Sequence, residues 1–313
     1  MSRLEKLTKA DTPWIADAGL ETVMIFLEGF DLPNFAAFVL LDSDEGRAVL
    51  TRYFDHFARL ARQAGSGLVL DTATWRANMG WAAAMGMDAD AIRAANLRAV
   101  AFARDCRDRL ETDTFPILIN GVVGPAGDGY RIDTALTAQE AEDVHDLQIE
   151  TLAKGGVDLI SAVTMTYPAQ AIGIARAAKR HGLPHILSFT LETDGHLPNG
   201  QTLQAAIAEV DAATGGSPLF YMVNCAHPTH FMSVLGSDWV KRIGGIRANA
   251  SRLSHAELDV TTELDDGDPV EFGRLYRDLG GLLPNLRLIG GCCGSDHRHV
   301  GAASAHFHHH HPA

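Results

Sequence analysis

The chain has 313 residues, 46% of them hydrophobic, and a net charge of -13 from 26 basic and 39 acidic side chains. That length and apolar share supply one large core, and an acidic balance without a basic stripe argues against nucleic acid or anionic membrane as a partner. No apolar run reaches the roughly 18 residues of a membrane-spanning helix, residues 1–12 carry no apolar signal segment, and four cysteines are too few for a disulfide framework; a soluble, cytoplasmic protein is expected.

Residues 14–19 are a short apolar run ending in Asp17 and Gly19, which suits a first strand. Residues 23–41, mostly apolar but broken by Gly and Pro, read as an elaborated loop over the site. The spacing of Val49, Phe54, Phe57, Leu60 and Ala61 predicts a helix over 44–64, stopped by Gly65. Strand two is expected over 67–72, and a helix over 88–110 with Asp88 as its N-cap. Strand three is expected over 115–121, running into a Gly/Pro loop that reaches Tyr130. Thr137 and Glu140 have capping-box spacing at the start of a helix over 137–154. Strand four (159–164) precedes a helix opened by Pro168, running to Arg180 and stopped by Gly182. Strand five (185–190), a helix over 202–213, strand six (220–225) and a short helix over 228–235 follow. A weaker strand seven (243–249), a helix over 269–283 and strand eight (286–289) complete the order.

Eight strands alternating with helical segments, without a composition break, predict a single (β/α)8 TIM barrel over residues 1–300 rather than an open doubly wound sheet. Five histidines crowd into residues 306–311, and residues 301–313 read as a flexible His-rich tail outside the fold.

Barrel sites form at the C-terminal ends of strands. Those tips carry Asp17, Asp71, Asn120, Thr164, Thr190, Cys225, Asn249 and the pair Cys292-Cys293. Adjacent cysteines rarely bond to each other, because the ring they would close strains disulfide geometry. Two thiolates on one metal is the easier arrangement, and the flanking glycines allow close approach. Cys225, Cys292 and Cys293 thus form a candidate Zn2+ site with an open fourth position, the pattern of a catalytic zinc. The competing reading is three small residues packed as hydrophobes, which suits Cys106 in mid-helix better. His227, His230, His297 and His299 follow the cysteines but lie past the strand tips, so helix capping and supporting hydrogen bonds are expected of them. A centre with three thiolates is a weak acid for water but a good site for a substrate thiol, whose thiolate then attacks an electrophilic carbon. A zinc hydrolase would call for His/Asp ligands and a general base. A non-catalytic zinc- or thiol-binding sensor is the further alternative, and the rim carboxylates Asp17, Glu21 and Asp71 fit an enzyme pocket better.

Gly-Gly-Cys-Cys-Gly over 290–294, Val223-Asn224-Cys225 upstream and Asp17-Ala18-Gly19 near the start resemble the zinc-dependent homocysteine S-methyltransferase family, over roughly residues 12–300. Weaker matches are Ser188-Phe189, the loop 194–200, Asn249 and residues 295–299. The resemblance implies a (β/α)8 barrel, zinc on the three cysteines, and methyl transfer from a small onium donor (S-methylmethionine, S-adenosylmethionine or a betaine-like compound) to homocysteine, giving methionine. It also implies that Asp17 holds the ammonium group of the amino acid, with backbone near Ala18 and Thr72 meeting its carboxylate. Two departures stand out. Val163-Thr164 occupies the strand-four tip where the family usually has Glu-Thr, and Asp71-Thr72-Ala73-Thr74 replaces the usual Glu-Thr-Asn-Thr. A lost carboxylate facing an ammonium removes a charge-assisted bond of roughly 1.5–3 kcal/mol. Either Asp71 or Glu21 compensates, or the acceptor is a different thiol. For the onium donor, Trp75, Tyr167, Phe26 and Tyr130 offer aromatic faces. The expected partners are small molecules, and the oligomeric state is left open.

Overall fold

The computed structural model describes residues 1–258 and 260–308. Every strand is buried along its whole length, which is why each reads as a short unbroken apolar run instead of an alternating one. The strands are β1 (Trp14–Ile15), β2 (Leu68–Asp71), β3 (Ile117–Val123), β4 (Leu159–Met165), β5 (His185–Phe189), β6 (Tyr221–Asn224), β7 (Ile243–Ala248) and β8 (Leu288–Gly291). They pair in sequence order, all parallel, and β8 closes on β1. This is the expected (β/α)8 barrel.

The helices are α1 (Arg3–Thr8), α2 (Asp44–Gln63), α3 (Ala89–Leu110), α4 (Ala138–Gly155), α5 (Pro168–Arg180), α6 (Leu203–Thr214), α7 (Pro269–Leu282) and α8 (His297–Ser304). Their starts follow the capping residues. Asp88 accepts from the Ala91 amide, and Thr137 and Glu140 form the full capping box. Gly156 ends α4 in the left-handed conformation.

One core lies between strands and helices, where Phe54, Phe57, Ile174 and Tyr276 are buried. A second fills the barrel itself with Trp14, Val69, Leu118, Leu159, Ile186, Met222 and Leu288. Leu7 of α1 packs into that inner cluster with no exposed surface.

Several expectations shift, and β1 covers only Trp14–Ile15 of the expected 14–19. β3 runs on to Val123, because residues 120–123 pair with residues 159–162 of β4. β8 lies two residues later than expected, since Gly290 and Gly291 are themselves paired with Arg247 and Ala248. The helix expected over 228–235 is one α-turn, Pro228–Phe231, followed by a tighter turn, Met232–Val234. The boundary drawn at residue 300 falls inside α8, and His308 is buried with its Nε2 2.8 Å from the Pro13 carbonyl; residues 309–313 lie outside the described residues. Among the described residues no helix is long and apolar enough to cross a membrane.

Candidate metal centre and its pocket

Cys225 and Cys292 are the first residues past the tips of β6 and β8, and Cys293 follows directly. The three sulfurs lie within 4.8 Å of one another. Two of them, Cys225 and Cys292, are joined as a disulfide, where two separate metal ligands are expected from the sequence. Cys293 Sγ is 3.9 Å from Cys225 Sγ. Tetrahedral zinc with bonds of about 2.3 Å sets its sulfur ligands roughly 3.8 Å apart, so this cluster, once reduced, has the span and donor set for that ion. Burial pushes the Cys293 thiol up, while the Tyr130 hydroxyl, 3.5 Å away, pulls the other way. A cation is what would hold such a thiol as thiolate.

The backbone at this rim is strained. Cys225 and Thr164 both have left-handed φ, at 54° and 63°, which costs a non-glycine residue of order 1–3 kcal/mol. Asn224 anchors both. Its Oδ1 accepts from the Thr164 amide (2.8 Å) and the Ser188 hydroxyl (2.6 Å). Its Nδ2 donates to Thr164 Oγ1 at 3.0 Å and lies 3.9 Å from Cys292 Sγ. On the β8 side only glycine fits at 290, where an added Cβ would meet the Asp17 carbonyl oxygen at 2.6 Å.

Beside the sulfurs opens a cavity of about 470 Å³, a common size for a small-molecule site. Asp17, Ala18, Glu21, Asp71, Thr72, Trp75 and Val163 all line it, together with the three cysteines. Tyr130 lines it too, and so do Phe26, Asn34 and Phe35; residues 23–41 thus reach the cavity, but as helical turns (Val23–Leu27, Pro33–Phe35 and Ala37–Asp42) instead of the expected loop.

The chemistry of that wall differs from the expectation in three places. Arg247, on β7, pairs with both Asp17 and Asp71, and all three are buried. Asp71 also accepts from Asn120 Nδ2 at 2.7 Å. Burial would lower the Arg247 pKa, but Asp71 and Asp17 outweigh it and the guanidinium is held well above its ordinary range. Asp17 moves the other way. Burial raises it to about 8, against the pull of Arg247 and with help from Asp71. Already engaged by Arg247 and favoured in its protonated form by burial, Asp17 is not an open ammonium site. The amides expected to meet a carboxylate are also occupied. Ala18 N donates to the Tyr53 hydroxyl (3.1 Å) and Thr72 N to the Asn120 carbonyl (2.9 Å).

Asn249 lies outside the main cavity, in a small crevice behind Cys225. Tyr167 is buried elsewhere, its hydroxyl accepting from the Leu136 amide at 2.9 Å. His227 caps the Pro228–Phe231 turn and His299 completes a capping box on α8, as expected of them. Cys106 is a core residue whose thiol burial pushes up to about 11.

Three residues went unread in the sequence. Arg247 is one. His255 has its Nε2 2.6 Å from the Cys225 carbonyl oxygen and its ring stacked on Tyr130 at 4.2 Å. Arg76 lies between Trp75 and Trp81, 3.8 and 3.9 Å from their ring centroids. Only the aromatic at 75, next to a strand tip, gave a signal for that last cluster.

A closed parallel barrel with three cysteines meeting at its C-terminal mouth has the form of a barrel enzyme with a thiol cluster able to hold a metal ion. Residues 19–307 match the homocysteine S-methyltransferase family, and the chain belongs to that family of methyltransferases. It is 28% identical over 228 residues to a methionine synthase of Mycobacterium leprae, covering 69% of this chain but only 18% of that protein. The chain thus spans about a fifth of that relative's length. Among solved structures it is similar to the Escherichia coli homocysteine methyltransferase MmuM. The oxidised form matches with a TM-score of 0.75 at 22% identity, covering 97% of this chain and 99% of that one. The metallated form matches with a TM-score of 0.74 at 21% identity over the same shares. These likenesses establish the fold.

Proposed function

We propose that the protein transfers a methyl group from a small onium donor to the thiolate of homocysteine, giving methionine, with zinc on Cys225, Cys292 and Cys293. The convergence of the three sulfurs on one cavity carries this reading. Family membership and the names of the relatives support the acceptor. The metallated state of the E. coli structure supports the metal. Bound zinc would supply a Lewis acid that favours the ionised form of an incoming thiol. The chain's own residues do the rest. Asn224 holds the strained turn at Thr164, precedes the one at Cys225, and brings its amide near the Cys292 sulfur. Tyr130, 3.5 Å from Cys293 and 3.7 Å from Cys225, covers the sulfurs from the rim. Trp75 and Phe26 give the wall apolar faces suited to an onium methyl group.

A second reading keeps the reaction but changes the thiol. It is favoured by Val163 in the wall and by Arg247 holding Asp17. Both readings are tested with reduced, zinc-loaded protein, homocysteine, and S-methylmethionine, S-adenosylmethionine and betaine as separate donors. Methionine detected by mass spectrometry with one donor, and lost together with zinc in Cys292→Ser, is the expected result. Protein that holds one zinc yet forms no methionine with any donor would rule out homocysteine as acceptor with these donors.

A further inference from the structure

The cavity wall contains two charged groups that the barrel leaves unmatched. Glu21 lines the cavity and makes no ion pair among the described residues. Arg247 has taken Asp17 and Asp71; of the other carboxylates that line the cavity, Asp128, Glu263 and Asp265 among them, Glu21 is the one within electrostatic reach of Cys293. Burial raises its pKa, with Arg76 and Arg247 pulling the other way from beyond pairing distance. Arg76 is the second group. Its plane is fixed by Trp75 and Trp81, and by Nε and Nη1 donating to the carbonyls of Asn34 (3.2 Å) and Gly127 (3.1 Å). Nη2 has no hydrogen bond among the described residues, and Arg76 forms no salt bridge with Glu21 across the cavity.

A half-buried carboxylate without an ion pair and a guanidinium with its Nη2 free, both lining the cavity, are the complement of a zwitterion. Glu21 pays desolvation without an ion pair, and Arg76, attracted by Asp128, keeps one end of its guanidinium free; a ligand with an ammonium and a carboxylate would engage both at once. The groups expected to receive an amino acid, Asp17 and the amides of Ala18 and Thr72, are already engaged.

We propose that Glu21 and Arg76 form the clamp for the amino-acid end of the substrate, Glu21 taking the ammonium and Arg76 the carboxylate. The proposal rests on the thiol-methyltransfer reading and names how that site selects an α-amino acid. The same chemistry is present in a homocysteine acceptor and in an S-methylmethionine donor, and the test separates them.

Dissociation constants are measured by calorimetry on the reduced, zinc-loaded chain, so turnover is not needed. The ligands are homocysteine, 4-sulfanylbutanoate (the ammonium deleted), 3-sulfanylpropylamine (the carboxylate deleted) and S-methylmethionine. Wild type is expected to prefer homocysteine over both truncated thiols. Glu21→Gln should weaken homocysteine roughly 10- to 100-fold, the scale of one charge-assisted bond, and leave 4-sulfanylbutanoate unchanged. Arg76→Gln should weaken homocysteine and leave 3-sulfanylpropylamine unchanged. If Glu21→Gln weakens S-methylmethionine instead of homocysteine, the clamp stands and serves the donor. Equal wild-type affinity for homocysteine and 4-sulfanylbutanoate, with S-methylmethionine unaffected by Glu21→Gln, overturns it. So does loss of the ammonium preference in Asp17→Asn but not in Glu21→Gln. The wild-type comparison needs no variant to fold. Homocysteine bound with the expected preference by protein that makes no methionine would count against methyl transfer alone, not against the clamp.

Discussion

Asp17 and Arg247 set the limit of what single residues reveal. Asp17 reads from the sequence as a strand-tip carboxylate free for a ligand. In the fold it shares one guanidinium with Asp71 in a buried cluster. Residue type cannot show which of many acids and bases meet across a barrel, since Asp17 and Arg247 are 230 positions apart. The cysteines were legible because an adjacent, glycine-flanked pair has few other uses; His255 was hidden because the four-residue turn His255–Leu258 is too short to show a periodicity. The buried cluster makes a pH prediction. Burial first, then Asp71, raises Asp17 from the usual 3.8 to about 8. Below 3.8 both folded and unfolded chains hold this proton and stability is at its full value. Between there and about 8 only the folded chain holds it, so stability declines as pH rises through that window. Urea titrations of metal-free, reduced protein from pH 5 to 8.5 should show this decline, and Asp17→Asn should flatten it. An unchanged slope in that variant would mean another group carries the proton. Zinc is left out because its own proton release would add a slope.

At the scale of elements, the alternation of strand and helix was legible because a parallel barrel buries both faces of each strand, so its strands read as compact apolar runs. Ends were less so. β8 was expected to stop before Gly290, yet the ladder with β7 needs only backbone groups and continues through Gly290 and Gly291. Glycine serves there because an added Cβ would meet the Asp17 carbonyl oxygen at 290 and the Ser295 hydroxyl at 291. The unforeseen device is the pair of strained tips on β4 and β6, held by one side chain. Asn224→Ala removes three short hydrogen bonds to Thr164 and Ser188 and frees the Cys225 turn from its anchor. Loss of a group that positions metal ligands commonly costs 10- to 100-fold in metal affinity. Zinc competition against a chromophoric chelator should show a loss on that scale with the helical signal intact. Wild-type affinity in the variant would assign the αL conformations to the barrel alone. Leu7 of α1, at the opposite end, should show no such effect.

Over the whole molecule, catalytic and stabilising parts are separated along the barrel axis. The C-terminal mouth holds the cysteines, the buried ions and the rim loops. The inner cluster below them is closed by α1, whose Leu7 has no exposed surface and packs among Trp14, Val69, Leu118 and Leu159. That helix is tied down by Arg3, whose Nε donates to Glu111 at 2.7 Å, and by a full capping box on Ser2 and Glu5. The sequence reading took residues 1–12 only as a polar stretch without a signal segment, because six helical residues with one buried leucine carry almost no periodicity. In a barrel this end is where side chains contribute to stability and not to chemistry. Leu7→Ala leaves a cavity in the inner cluster and should cost about 2–5 kcal/mol. The denaturation midpoint should fall accordingly, while zinc affinity and the homocysteine dissociation constant stay at wild-type values. A Leu7→Ala protein of normal stability would mean that α1 caps the barrel without supporting it. Weakened zinc binding in that variant, at native-like stability, would mean the two ends are coupled through the inner cluster, and the separation argued from the fold would not hold.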